Sequence, residues 1–260
     1  MSTFTSKPYD GWKRGLISTA ALVVVLVLWS ALSENHHSLI LPSPKETWGA
    51  LQQLWQSGQL WTNTAITFRR TMVGYAMALA SGVLSALLLK ASTFLQSLLR
   101  PVITVIQIIP PVIWVVLAVI WFGIADDLTP IFLICIVTFP VIFLTIFSGL
   151  ESVDADLVEM ATVYRSSRAK IVRSIYLPAL VPHFVSAVSL GLSFAWKSTV
   201  FAEFIGSSSG IGFAISMANA NLETENLFAW ATVLILIMLV FEYGILGFVN
   251  KRVTRWKQHG

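Results

Sequence analysis

Five ionisable side chains lie in or at the edge of long apolar stretches of the sequence: Arg69, Arg70, Lys197, Glu203 and Glu242. An ionised group inside a bilayer is unfavourable unless it is paired or hydrated, so such groups are typical of ion pairs, proton relays and solute pathways. Arg69 fits a position at the outer membrane edge, from which its side chain snorkels to water. Each of these residues is therefore a candidate for a functional role, with a structural ion pair as the alternative.

Lys197 lies beside Trp196 and Ser198, and Glu203 follows six residues later. In a helix this separation is about 9 Å along the axis and places the two side chains on different faces. Each is therefore expected to have a partner on another span or subunit. Two interpretations are open for Arg70, Lys197 and Glu203: a solute pathway that uses their charges, or interhelical ion pairs that hold a bundle together. The pathway residues under the first interpretation are Arg70, Gln107, Pro110, Pro111, Trp196, Lys197, Ser198 and Glu203.

Residues for covalent catalysis or metal binding do not occur at any recognisable spacing. The four histidines show no HxxxH or HExxH pattern, and Cys135 is the single cysteine, which excludes a two-cysteine metal site. The sequence has no GxxxxGK[ST] loop to hold nucleotide phosphates. We therefore predict no catalytic residue, no metal and no cofactor bound by this chain.

The elements that carry these residues are predicted to be membrane-spanning helices. The 260 residues are 56% hydrophobic and 12% charged, with a mean hydropathy of +0.76, which is more apolar surface than one soluble core of this size hides. A span needs about 20 residues to cross about 30 Å of hydrocarbon. The sequence predicts an all-α polytopic membrane helix bundle with six transmembrane helices, at residues 15–32, 67–89, 102–125, 130–150, 181–205 and 228–249.

The distribution of positive charge predicts the orientation of these spans. If the amino terminus is cytoplasmic, the inner segments hold 13 of the 17 lysines and arginines, as the positive-inside rule requires. Six spans then place both termini in the cytoplasm, with residues 1–14 as an amino-terminal segment, residues 15–250 as the transmembrane domain and residues 251–260 as a basic tail. The net charge of +4 thus reports membrane topology, and nucleic-acid binding is not expected.

Two spans have sequences that indicate packing inside a bundle. Pro110 and Pro111 fall in the middle of the third span, where they remove backbone donors and bend the helix, so neighbouring protein or water must satisfy the freed carbonyls. The second span has small residues four apart, which lets another helix approach closely. This stripe is Gly74, Ala78, Gly82 and Ala86.

The polar and basic stretch at residues 151–180 interrupts the apolar sequence between the fourth and fifth spans. Asp154 is a predicted N-cap for one short helix, and a second helix is predicted to start after Ser166 or Ser167. Leu177 and Pro178 are expected to stop the second helix, because proline disfavours helical geometry in the residue before it. By physics alone, this pair of helices either lies on anionic headgroups or docks to a partner protein.

The order of residues in this stretch resembles the EAA loop of type I ABC importer permeases. That pattern is Glu-Ala-Ala, a glycine six positions after the Glu, and an Ile-x-Leu-Pro ending. The residues that match are Glu159, Ala161, Ser167, Arg168, Ile175, Leu177 and Pro178. Met160 replaces the middle alanine, and Arg165 stands at the usual glycine position, where glycine would allow a positive φ that arginine adopts only at a cost.

The resemblance extends over residues 38–250, through "LPSPKETWGAL", "RPVITVIQIIPPVIWVVLAVIWFGI" and "FAWKSTVFAEFIGSSSGIGFAI". These stretches are similar to the nitrate, sulfonate, taurine and bicarbonate permease subfamily. The resemblance implies the type I ABC importer fold and an inner-membrane permease of a bacterial cell that does no covalent chemistry itself. Its implied ATPase-coupling loop consists of Glu159, Met160, Ala161, Tyr164, Arg165, Ser167, Arg168, Leu177 and Pro178.

The same resemblance implies the partners of the chain. They are two cytoplasmic ABC ATPase subunits, which would bind ATP and Mg, a second copy of the chain, an extracytoplasmic solute-binding protein and the lipid bilayer. The alternative is a self-sufficient ion-coupled secondary transporter or channel, in which Arg70, Lys197 and Glu203 form an ion-coupled site. ATP dependence of uptake distinguishes the two. The substrate class is open between small anions, such as oxyanions and sulfonates, and other small organic solutes.

Overall fold

Helices make up all the regular structure in the part of the chain that the computed structural model describes, residues 11–124, 127–241 and 244. In chain order they are α1 Gly11–Glu34, α2 Pro44–Gln56, α3 Gln59–Ala91, α4 Thr93–Ile108, α5 Pro111–Phe122, α6 Leu128–Glu151, α7 Ala155–Val163, α8 Arg168–Ile171, α9 Leu177–Gly206, α10 Ile211–Ala220 and α11 Thr224–Leu239. A π-helical turn, Val172–Tyr176, joins α8 to α9. The predicted all-α bundle is confirmed.

Three helical units are long and apolar enough to cross a membrane: α3, α6 and the continuous unit from Arg168 to Gly206. The bent pair α4 and α5 makes a fourth if it counts as one span. The stretch Thr19–Glu34 of α1, and the helices α10 and α11, are apolar but shorter. Residues 1–10 of the predicted amino-terminal segment 1–14, the predicted tail 251–260, Glu242 and most of residues 242–249 lie outside the described residues. The number of six spans therefore stays a prediction.

The centre of the bundle is the packing of α6 against α3 on one side and α9 on the other. The small-residue stripe of α3 is buried in this contact. A Cβ placed on Gly74 would lie 2.7 Å from Cβ of Ile134, and one placed on Gly82 would lie 2.9 Å from Cγ2 of Ile142. The close helix approach predicted from the stripe is thus confirmed, and α6 is the helix that packs against the stripe.

The double proline divides the predicted third span into two helices. α4 ends at Ile108, α5 begins at Pro111, and the two axes differ by 97°. Residues 102–125 are therefore not one straight helix, although the predicted bend is present. Pro110 lacks the N–H that would reach the carbonyl of Ile106, and the indole Nε1 of Trp114 donates to that oxygen instead, at 3.3 Å.

The predicted helix end at Leu177 and Pro178 is wrong. The chain stays helical from Arg168 to Gly206 because the π-helical turn lies immediately before the proline. There the N–H of Leu177 donates to the carbonyl of Val172, five residues back. This wider turn makes room for the proline ring, and the single missing N–H does not end the helix.

A short amphipathic helix, α2, precedes the first long span of the core. Ser43 and Glu46 form a capping box at its start, with the Ser43 N–H donating to Oε2 of Glu46 at 2.7 Å. This donation lowers the pKa of Glu46 below its usual value. Trp48 and Trp55 of α2 are exposed, as is usual for tryptophans at a membrane interface.

Candidate functional site

Arg70 of α3 is the centre of a buried polar cluster at one end of the bundle. Its side chain is only 2% exposed. Nη1 donates to Oε1 of Glu203 at 3.0 Å and to the carbonyl of Ser209 at 2.7 Å, while Nε donates to Oδ1 of Asp127 at 2.7 Å and Nη2 to Oγ of Ser209 at 2.9 Å. Four of the five guanidinium N–H groups are thus used, which links α3 to α9 and to the segments before α6 and α10. We call Arg70, Asp127, Glu203, Ser209 and Thr67 the Arg70 cluster.

The carboxylate of Glu203 is fully buried and accepts hydrogen bonds at both oxygens. Besides the bond from Arg70, Oε2 accepts from Oγ1 of Thr67 at 2.8 Å and from the N–H of Gly212 at 3.0 Å. A buried ion pair is tolerated when its remaining hydrogen-bonding groups are satisfied in this way. The partner that the sequence places on another span for Glu203 is Arg70, so the geometry favours the ion-pair interpretation for these two residues.

The first amide groups of α10 are capped by side chains of other helices. The N–H of Gly210 donates to Oδ1 of Asn63 at 3.0 Å, and that of Ile211 to Oγ1 of Thr67 at 2.9 Å. The N–H of Gly212 completes the set through Glu203. Gly210 has φ +100, and a Cβ there would lie 2.3 Å from the Glu203 carboxylate, so only glycine fits at this position.

Arg69 takes part in this cluster from the surface. Its side chain is 63% exposed and forms an ion pair with Asp127. The expectation that Arg69 reaches water is consistent with this exposure, but its anionic partner was not predicted. Asp127, Ser209, Thr67 and Asn63 were missed because each forms its hydrogen bond in this region with a residue more than 50 positions away, and no local pattern connects such pairs.

Lys197 lies on the opposite, exposed side of α9 from its two neighbours in sequence. Trp196 and Ser198 are buried, whereas Lys197 follows Leu190 and Phe194 along an exposed stripe of the helix. No hydrogen bond or ion pair among the described residues joins Lys197 to the Arg70 cluster. The structure thus brings together Arg70 and Glu203 but not Lys197, and the remaining pathway residues are exposed on the α4–α5 pair. These are Gln107, Pro110 and Pro111.

The segment at residues 151–180 lies at the other end of α6 and α9. Oδ1 of Asp154 accepts from the N–H of Asp156 at 2.9 Å and caps α7, and the Ser167 hydroxyl accepts from the N–H of Lys170 at 3.4 Å and caps α8. The predicted N-cap at Asp154 and the helix start after Ser167 are confirmed. α6 has 24 residues, so about 36 Å of helix separates this segment from the Arg70 cluster.

No residue of α7 is buried. Its exposed apolar side chains continue into the turn, where Tyr164 is 79% exposed. Glu159, Arg165, Ser167 and Arg168 are also exposed, as are Leu177 and Pro178 further on, while Ala161 is half-buried. The apolar members of this surface, which we call the α7 face, are Leu157, Met160, Val163 and Tyr164.

Arg165 has φ 53, which is the left-handed conformation that glycine allows most readily. The N–H of Arg165 donates to the carbonyl of Thr162 at 2.9 Å, and the N–H of Ser166 donates to that of Ala161 at 3.0 Å. These two bonds close the end of α7 in the manner of a left-handed C-terminal motif. The turn therefore keeps its left-handed backbone although arginine stands there.

A family model described as "Binding-protein-dependent transport system inner membrane component" matches residues 78–255, which is more than two thirds of the chain. The putative aliphatic sulfonates transport permease protein SsuC of Bacillus subtilis (strain 168) is 26% identical over 249 residues, covering 95% of this chain and 88% of the relative. The riboflavin transport system permease protein RibX of Chloroflexus aurantiacus is 29% identical over 238 residues, covering 91% of this chain and 88% of the relative.

The structure is also similar to a chain in the crystal structure of an amino acid ABC transporter with histidines. The TM-score is 0.66 at 16% identity, over 78% of this chain and 97% of the matched chain. At this identity the likeness bears on the fold alone. The helical arrangement of the bundle therefore agrees with that of a known ABC transporter subunit.

Proposed function

The chain belongs to the family of inner membrane components of binding-protein-dependent transport systems, and we propose that its 151–180 segment is the docking site of a cytoplasmic ATPase subunit. It is the permease subunit of an ABC importer, and family membership disfavours a self-sufficient ion-coupled transporter. In the proposed assembly, two copies of the chain associate with two ATPase subunits, which bind ATP and Mg, and with one external solute-binding protein.

The observation that carries this proposal is the exposed α7 face. A nine-residue helix with no buried residue gains little from its own chain, yet it holds Leu157, Met160 and Val163 in contact with solvent. Contiguous exposed apolar side chains mark interaction surfaces. A groove on a partner that covers the α7 face would remove this apolar area from water.

The length of the adjoining helix supports a partner in the cytoplasm. The unit from Arg168 to Gly206 has 39 residues, or about 58 Å of helix, and the hydrocarbon core takes up only about 30 Å. With Gly206 at the outer border and a tilt of up to about 40°, Arg168 still lies about 14 Å beyond the inner hydrocarbon border. A headgroup layer of about 5–8 Å does not reach that far.

The same continuous unit supplies a mechanical link across the membrane. Its cytoplasmic end carries the docking segment, and its outer end is fixed to α3 and α10 through the Arg70 cluster. A displacement of α7 by an ATPase subunit is therefore passed along α9 to the outer end as rigid-body motion, as in other alternating-access switches. We assign Arg70 and Glu203 to this link and not to direct contact with the solute.

Lys197 is the pathway residue that the arrangement supports best. It is a cation on an exposed stripe of α9, and no carboxylate among the described residues pairs with it. A lipid-facing lysine at this depth is unfavourable, so the stripe belongs at the contact between two copies or along a hydrated pathway. A small anionic solute, such as the sulfonates in the name of the Bacillus relative, is the substrate class that fits this charge.

Co-purification of the ATPase with designed variants tests this proposal. Met160→Asp places a charge on the α7 face, whereas Met217→Asp does so on an exposed position of α10 at the other end of the bundle. We expect the wild type and Met217→Asp, extracted in mild detergent, to retain an ATP-binding subunit, and Met160→Asp to lose it. Retention by Met160→Asp, or its absence from the wild type, contradicts the proposed docking site.

A further inference from the structure

Arg165 holds a backbone conformation that favours a different residue type. Among the described residues, only Arg165 and Leu222 are non-glycine residues with positive φ. A side chain with a Cβ in this region crowds the backbone, and glycine avoids that cost. The hydrogen bonds that close α7 require the left-handed backbone at this position. The fold therefore accounts for the conformation but not for the arginine.

Nothing in the described chain offsets this cost through the side chain of Arg165. The guanidinium is exposed and has no hydrogen bond or ion pair with any described residue. Strained residues persist where something else constrains or uses them. Because no described residue contacts this guanidinium, it is available to a partner outside the chain.

The surroundings of Arg165 indicate the charge of that partner. Arg168, Lys170 and Arg173 follow it within eight residues, are exposed, and form no ion pair with the described carboxylates. The positive patch adjoins the apolar α7 face at Tyr164. A complementary surface therefore combines an apolar groove with carboxylates at its rim.

We propose that Arg165 recognises a carboxylate at the rim of the groove in which the ATPase subunit receives α7. This inference rests on the proposed function and adds the chemistry of the partner surface. A protein carboxylate is favoured over a lipid phosphate because, with Gly206 at the outer hydrocarbon border, the 39-residue helix carries Arg168, three residues away, beyond the headgroup layer. Arg165 is thus a residue that determines which ATPase the permease accepts.

The test measures the affinity of the permease, in nanodiscs of zwitterionic lipid, for the ATPase subunit purified from the wild-type complex. Arg165→Gly removes the guanidinium and relieves the backbone, so we expect an affinity about ten- to hundredfold lower and an unfolding midpoint no lower than that of the wild type. Arg165→Lys keeps the charge and is expected to retain most of the affinity. Raising the ionic strength from ~0.05 M to ~0.5 M should weaken the wild type more than Arg165→Gly.

Leu222→Gly is the matched control, because Leu222 has φ 59 in the turn before α11, at the other end of the bundle. It relieves the same kind of backbone crowding and should leave the ATPase affinity unchanged. Wild-type affinity of Arg165→Gly for the ATPase subunit overturns the inference. So does a result in which Arg165→Gly loses only the attraction of the permease to anionic lipid vesicles and not its affinity for the ATPase subunit. If Met160→Asp weakens binding while Arg165→Gly does not, the docking site stands and the inference fails; if neither variant changes the affinity, both fail.

Discussion

Removing the Arg70 guanidinium is expected to destabilise the protein far more than removing the adjacent, exposed Arg69 guanidinium. Arg70→Met leaves the fully buried Glu203 carboxylate without its cation and removes two hydrogen bonds to Ser209. Breaking a buried pair from one side costs about 3–5 kcal/mol. For a chain of this size about 2–4 °C corresponds to each kcal/mol, so the unfolding midpoint should fall by roughly 6–20 °C.

The assay is thermal unfolding in detergent, followed by intrinsic tryptophan fluorescence at one heating rate for all variants. Arg69→Met is the control, because this adjacent arginine is 63% exposed and also pairs with Asp127. An exposed pair contributes at most about 1 kcal/mol, so its midpoint should move by no more than about 4 °C. The combined Arg70→Met and Glu203→Leu variant should be more stable than Arg70→Met alone. Equal midpoints for Arg69→Met and Arg70→Met would refute the view that burial makes Arg70 essential.

Four further outcomes follow from the other features. Glu159→Lys should leave the permease in the membrane but uncouple ATP hydrolysis from uptake in reconstituted vesicles, and unchanged uptake contradicts the coupling role. Lys197→Met should reduce uptake of an alkanesulfonate by roughly tenfold or more while the ATPase still co-purifies; equal uptake removes Lys197 from the pathway. Gly82→Ala should reduce the free energy of unfolding by about 1–3 kcal/mol, and so lower the unfolding midpoint, because its Cβ would collide with α6. Gly49→Ala should leave the midpoint unchanged, because a Cβ there has no atom within 4 Å. At a pH above the ordinary pKa of a carboxyl group, the ionised Glu46 of the α2 capping box stabilises the protein, and this effect is lost as the pH falls through the lowered pKa of Glu46. Glu46→Gln should therefore show a smaller fall in unfolding midpoint than the wild type between about pH 6 and pH 3. Parallel plots of midpoint against pH for the two proteins contradict this.

The features that the sequence predicts well are those that local chemistry determines. The small-residue stripe around Gly82, the bend at Pro110 and the N-cap at Asp154 each depend on residues within a few positions of one another. Family resemblance added the fold class and the importer function, which the match to residues 78–255 supports.

The features that the sequence did not predict depend on distant contacts or on a change of helix type. Arg70 and Glu203 are separated by 133 positions, and their pairing is set by how α3 and α9 meet. Pro178 was expected to end a helix because proline disfavours helical geometry in the residue before it. The π-helical turn before Pro178 makes room for the ring, and the helix continues. Neither effect leaves a periodic pattern in the residues.

The borrowed cap of α10 has a consequence for the order in which the polypeptide matures. Asn63, Thr67 and Glu203 are all synthesised before Gly210, and they hold the acceptors for the first amides of α10. The acceptors on α3 and α9 are therefore already synthesised when α10 forms and packs against them. Until α3 and α9 have met, these amides have no side-chain acceptors.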